Sequence, residues 1–108
     1  MPVQHKTFAD ERAFRATLDQ HKSQLVVVDF SAAWCGPCQF IKPHFEALAD
    51  EFTDVAFLEL DVDENEDVTE ALGVSAMPTF QFWRDGKLVD VVRGADPRGI
   101  KQKIAQLQ

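Results

Sequence analysis

The sequence holds only two cysteines, Cys35 and Cys38, in 108 residues. Two are too few to staple a secreted disulfide scaffold. They are also half of what a structural zinc site commonly takes, and the spare candidates His5, His21 and His44 include no pair at ligand spacing, so no metal is expected. Basic clusters are missing as well: the net charge is −7, with 11 Lys and Arg against 18 Asp and Glu. That balance argues against nucleic acid and against an anionic membrane surface as partners. No apolar stretch approaches the ~20 residues of a membrane span. The N-terminal stretch Met1–Lys6 has no apolar signal core, so a cytoplasmic, reducing compartment is expected. The acidic run Asp61–Asn65 resembles a calcium loop only superficially. Counting from Asp61, the sixth position is Glu66 instead of Gly and the twelfth is Leu72 instead of Glu, so calcium is excluded.

Repeats, low-complexity tracts and linkers are absent, and a single domain over residues 1–108 is expected. Apolar residues make up 45% of the chain. A chain of this length buries roughly 65% of the surface its unfolded form exposes, so a core is within reach. Taken in order, Val3–Thr7 reads as a short strand. Asp10 caps a helix from Glu11 to about Gln20 that buries Phe14 and Leu18. Leu25–Phe30 is a buried strand, and a helix from about Cys35 to Glu51 carries Ile41, Phe45, Leu48 and Phe52 on one face. Pro37 is harmless in the first turn, whereas Pro43 predicts a kink. A strand over Val55–Val62 follows, then a short helix ending near Leu72 with Gly73 as its stop. Strands at Thr79–Trp83 and Leu88–Arg93 flank Asp85-Gly86, a strong hairpin signal. Asp96-Pro97 opens a last helix that would bury Ile100, Ile104 and Leu107. The order β-α-β-α-β-α-β-β-α implies parallel strands first and an antiparallel hairpin last, an α/β sheet covered on both faces.

The chemistry is concentrated at the junction of the buried strand and the second helix. Cys35 and Cys38 stand in a C-x-x-C arrangement that can close into a disulfide and reopen. A helix N-terminus favours negative charge, so a thiol there is pushed toward thiolate, the nucleophilic form. Cys35 comes first, where a substrate disulfide can reach it. Cys38 lies one turn further in and should be less exposed. Asp29 interrupts an otherwise apolar strand six residues before Cys35. It is either a surface carboxylate at a strand end or a buried carboxyl with a pKa raised by desolvation, able to exchange protons with Cys38.

The run Trp34-Cys35-Gly36-Pro37-Cys38, with Val26–Phe30 before it, Pro43 in the following helix, Met77-Pro78-Thr79-Phe80 downstream and Gly94-Ala95 near the end, resembles the thioredoxin family over nearly the whole chain. The resemblance implies the thioredoxin fold, a central mixed β-sheet of about five strands flanked by four helices. It implies a general protein-disulfide reductase in which Cys35 attacks the client disulfide and Cys38 resolves the mixed disulfide. Clients would dock on an apolar surface of Trp34, Gly36, Pro37, Met77, Pro78, Gly94 and Ala95, with the Met77–Pro78 bond cis. Electrons would come from a thioredoxin reductase, the chain itself being monomeric and binding no cofactor.

The chain also departs from family patterns. Related oxidants and isomerases often carry His where Pro37 stands, so Pro37 favours the reductant direction. Many bacterial members place a Lys near the buried Asp, where this chain has Glu59; Lys42 is the remaining candidate partner. Extra cysteines common in animal members are absent, with Ala76 before Met77, which excludes a second regulatory disulfide. The competing reading is a redox-gated binding module that regulates a partner through the same surface.

Overall fold

The apolar run ahead of the cysteines becomes the middle of the sheet. The computed structural model describes residues 3–108; Met1 and Pro2, the head of the stretch read above for a signal core, lie outside the described residues. The elements are β1 (Gln4–Lys6), α1 (Glu11–Asp19), β2 (Val26–Ser31), α2 (Gly36–Glu51), β3 (Ala56–Asp61), α3 (Glu66–Ala71), β4 (Thr79–Arg84), β5 (Lys87–Arg93) and α4 (Pro97–Leu107). All six residues of β2 are buried. Such a strand needs neighbours on both sides and cover on both faces. It has both: β2 pairs parallel with β3 and antiparallel with β4 in a sheet ordered β1-β3-β2-β4-β5. This is the mixed five-stranded sheet with four helices that the resemblance implied.

Alternation along the strands divides the core in two. Val26, Val28 and Phe30 of β2 pack with Phe14 and Leu18 of α1, Leu58 and Leu60 of β3, and Val68 of α3. Val27 faces the opposite way, toward Ile41 and Phe45 of α2 and Ile100 and Ile104 of α4, beside Phe57, Phe80 and Phe82. Each fully buried Phe or Leu contributes about 1.5–3 kcal/mol of transfer free energy. Phe45 alone meets Phe57 edge-on at 5.2 Å and Phe80 at 5.5 Å.

Local signals set the element ends. The Asp10 carboxylate accepts the Ala13 N–H at 2.9 Å, and Asp96 accepts the Gly99 N–H at 3.1 Å ahead of Pro97, so both caps form as the residue types predict. Gly73, at φ +70°, ends the turn after α3. Asp85 and Gly86, at φ 51° and 76°, form the hairpin turn in the left-handed region it requires. One expectation shifts. Leu107 is half-buried instead of buried, because it falls at the last turn of α4. Pro43 lies inside α2, where its missing N–H leaves the Gln39 carbonyl without that one partner.

Candidate functional site

β2 ends at Ser31 and α2 begins at Gly36, so the cysteine motif sits just past the end of the central strand, where the chain turns into a helix. Cys35 is the N-cap residue of α2, with extended backbone at φ −96° and ψ 114°. Its Sγ accepts the Cys38 N–H at 3.2 Å. An N-cap position ordinarily holds Ser, Thr or Asp for this bond. Here sulfur occupies it, and any negative charge on that sulfur meets a donor and the positive end of the helix. Cys35 and Cys38 are joined as a disulfide with their Cα atoms 5.2 Å apart, within the usual range for such a bridge.

The two cysteines differ in exposure in the expected order, but narrowly. Cys35 is 6% exposed and Cys38 2%. The access at the motif comes from its neighbours: Gly36 and Pro37 are exposed, and Trp34 is 68% exposed. The Trp34 indole is nevertheless held, its Nε1–H donating to the Asp63 carboxylate at 3.0 Å. Asp63 is itself oriented by its backbone N–H, which donates to Asp61 Oδ1 at 2.8 Å.

A second loop closes on the disulfide from the sheet side. The Met77–Pro78 peptide bond is cis, as the resemblance implied. The Met77 carbonyl oxygen lies 3.7 Å from Cys35 Sγ. Met77 is half-buried against the core cluster that includes both cysteines, and Pro78 is buried. A third loop is tied to the second, with the Gly94 N–H donating to the Pro78 carbonyl at 2.9 Å. Gly94 has φ +94°, where a Cβ would be strained. Trp34, the first turn of α2 with Gly36 and Pro37, and the two loops with Met77, Pro78 and Gly94 thus gather around Cys35. Ala95, next to Gly94, is half-buried and packs toward the α2–α4 core.

Asp29 is buried, 1% exposed, and neither carboxyl oxygen has a hydrogen-bond partner. Desolvation pushes its pKa well above the usual carboxylate range. Glu59 pushes it further the same way, and Lys42 acts weakly against both. Of the two readings of Asp29, the surface carboxylate is overturned: a strand buried at every position carries no residue out to solvent. Lys42, Glu59, Ser31, Gln39 and Asp61 line a cleft of about 200 Å³ running beside this strand end. Among the described residues no group of three His, Cys, Asp or Glu is placed to hold a metal ion.

Sequence reasoning missed Asp63 as the anchor of Trp34, and it missed His5, whose Nδ1 meets Glu59 Oε1 at 2.5 Å. No local signal marks either pair, since 29 residues separate the first and 54 the second (59 − 5).

The chain matches the sequence model of the family described as Thioredoxin over residues 5–106. Thioredoxin of Gallus gallus is 49% identical over 94 residues, which cover 87% of this chain and 90% of that protein. The X-ray structure of Fasciola hepatica thioredoxin superposes with a TM-score of 0.90 at 41% identity, covering all of both chains. The structure of reduced Schistosoma mansoni thioredoxin pre-protein superposes with a TM-score of 0.92 at 35% identity, again over the full length of both.

Proposed function

The chain belongs to the thioredoxin family and is a protein-disulfide reductase acting on disulfide-containing client proteins; from that premise we propose how its residues divide the work. The carrying observation is the Cys35–Cys38 pair at the tip of α2, facing the Met77–Pro78 loop. In the reduced form, Cys35 is the thiolate, favoured by the Cys38 N–H and the helix terminus. It attacks one sulfur of the client disulfide. The client's S–S bond breaks, its other sulfur leaves as a thiolate and takes a proton, and a mixed disulfide joins Cys35 to the client. Cys38 then loses its proton to Asp29 and attacks Cys35 Sγ. The mixed disulfide breaks, the second client sulfur is released and protonated, and the Cys35–Cys38 disulfide remains. Two electrons have passed from the dithiol to the client.

Asp29 suits the base role because it is buried, unpartnered and hard to ionise, so its carboxylate binds a proton more readily than an ordinary surface carboxylate does. The exposed Trp34, Gly36 and Pro37, with Met77, Pro78, Gly94 and Ala95, form the client-docking surface. An extended client segment would lie along the 77–78 loop by strand addition. A thioredoxin reductase restores the dithiol. The protein acts as a monomer in the cytoplasm; no helix among the described residues is long and apolar enough to cross a membrane. The binding-module alternative is not favoured, since family membership and the cysteine pair point to turnover.

Two variants test the assignment. Cys35→Ser abolishes insulin-disulfide reduction, because no nucleophile reaches the client. Cys38→Ser attacks but does not resolve, so it accumulates client complexes on non-reducing gels that dithiothreitol dissolves. Trapping by Cys35→Ser instead of Cys38→Ser reverses the roles. Trapping by neither, with no turnover by the wild type, removes the catalytic dithiol.

A further inference from the structure

Three titratable side chains form a row across the sheet. In the strand register, His5 of β1 stands opposite Glu59 of β3, and Glu59 stands opposite Asp29 of β2. Alternation puts all three on the face covered by α2 and α4, in step with Val3, Phe57 and Val27 of that core cluster. The row runs from solvent to interior. The His5 side chain is 59% exposed, that of Glu59 15%, and Asp29 is 1% exposed. The outer pair is in direct contact, His5 Nδ1 to Glu59 Oε1 at 2.5 Å. The inner carboxyl has no hydrogen-bond partner, so beyond its burial only neighbouring charges act on it.

We propose that His5 and Glu59 are positioning residues for the resolving step, in which the charge on a solvent-facing histidine of the edge strand reaches Asp29 through Glu59. This rests on the reading of Asp29 as the acceptor of the Cys38 proton. Glu59 is the residue whose charge opposes ionisation of Asp29. When His5 is protonated it forms an ion pair with Glu59 and cancels much of that opposition. Asp29 then stays ionised, and able to take a proton, to lower pH. When His5 is neutral the full negative charge of Glu59 is felt. Histidine is the side chain whose charge changes in the neutral range, so the compensation enters as the surroundings acidify.

The other groups facing the row do not supply this response. Lys42 of α2 lowers the Asp29 pKa, and it is a lysine and not a histidine. Asp61 of β3 lines the same cleft as Glu59. β4 places Phe80 opposite Asp29, and α4 turns Ile100 and Ile104 to this face. His5 is the one histidine in the row, and it is in direct contact with Glu59.

The test is the pH titration of the Asp29 carboxyl carbon by NMR in the disulfide form, where neither cysteine titrates. Glu59→Gln and His5→Lys are expected to move the Asp29 midpoint to lower pH, the first by removing the opposing charge and the second by fixing the compensating one. His5→Gln is expected to move it to higher pH. The acid limb of mixed-disulfide resolution, followed by stopped-flow Trp34 fluorescence, moves with the midpoint, and each pH unit of displacement changes the rate there about tenfold. An unmoved midpoint in Glu59→Gln overturns the row. An unmoved midpoint in His5→Gln overturns the part assigned to His5. His5→Lys, which keeps a donor at an exposed edge position, guards against a variant that fails to fold. Moved midpoints with a resolution rate that Asp29→Asn leaves unchanged overturn the base role of Asp29, and not the coupling.

Discussion

Asp29 and Asn65 are each 1% exposed, and the fold surrounds them in opposite ways. Asn65, in the loop between β3 and α3, has every polar atom in use. Its Oδ1 accepts the Phe8 N–H at 2.7 Å, and its Nδ2 donates to the carbonyls of Lys6 at 3.1 Å and Asp61 at 2.9 Å. One side chain thereby ties the end of β1 and the approach to α1 onto the end of β3. Asp29, in the middle of the sheet, has no partner for either oxygen. A buried polar group with its bonds made adds to stability; one without them subtracts from it. Stability therefore accounts for Asn65 and leaves Asp29 without a structural role. What Asp29 retains is a chemical property, a carboxyl that burial makes reluctant to ionise.

Replacing each residue by alanine should break the comparison cleanly if it is wrong. Asn65→Ala has the larger effect. It leaves the buried Phe8 N–H without its acceptor and takes one donor from each of the Lys6 and Asp61 carbonyls, so the loss is about 3 kcal/mol, or a Tm lower by roughly 15 °C in a domain of this size. Insulin reduction per folded molecule is expected to stay at the wild-type level, since no atom of Asn65 approaches the cysteines. A melting curve superimposable on wild type would show that the three bonds contribute nothing net.

Asp29→Ala should move stability the other way, by about 1–3 kcal/mol at pH 7, the range for a buried polar group without a partner. The sign follows from the raised folded-state pKa. Below the ordinary carboxylate range both folded and unfolded states are protonated and the residue adds no pH-dependent cost. As pH rises past the unfolded value, the unfolded chain ionises freely while the folded one resists, and the penalty grows until the folded pKa is passed. The gain in the mutant should thus be largest at pH 7 and shrink in acid as the pH-dependent part is lost, as read by urea unfolding at a series of pH values. The same mutant should resolve mixed disulfides slowly. A mutant less stable than wild type at pH 7, with full activity, would make Asp29 an ordinary structural carboxylate.

These two residues also divide what the sequence makes legible from what it hides. Asp29 stands out because a lone charge interrupts an apolar strand, and the resemblance of the motif after it supplies a role. The caps at Asp10 and Asp96, the Asp85-Gly86 turn and the Gly73 stop are equally visible, because each depends on residues within a few positions. The ends of β2 and β3 fall within about a residue of the apolar runs. The role of Asn65 is invisible in the same way that the His5–Glu59 contact is. In sequence Asn65 closes an acidic run that invites, and fails, comparison with a calcium loop. Its partners Phe8 and Lys6 lie 57 and 59 residues away, and only the parallel pairing of β1 on β3 brings them together. Register across a parallel sheet has no local signature, so contacts that depend on it appear only in three dimensions.

The smallest expected effect concerns a polar residue that is neither buried nor unpartnered. Asp63 is exposed and accepts the Trp34 Nε1–H at 3.0 Å. By the logic that separates Asn65 from Asp29, a single hydrogen bond at the surface does little for stability, because water replaces it on unfolding. Asp63→Ala should therefore change stability by less than about 0.5 kcal/mol. What the bond does is hold the orientation of an indole that is 68% exposed beside Cys35. Freed from Asp63, Trp34 samples more rotamers, and a client must immobilise it on docking at a cost of about 0.5–1.5 kcal/mol. That corresponds to a KM for a protein client about two- to tenfold higher, with kcat unchanged because neither cysteine nor Asp29 is touched. Asp63→Asn retains an acceptor and should recover most of the loss. The check is steady-state reduction of a protein disulfide beside that of a small one, such as a glutathione mixed disulfide. The defect belongs to the protein client alone if Asp63 acts by positioning the docking surface; an equal loss on both would place its effect on the cysteines instead.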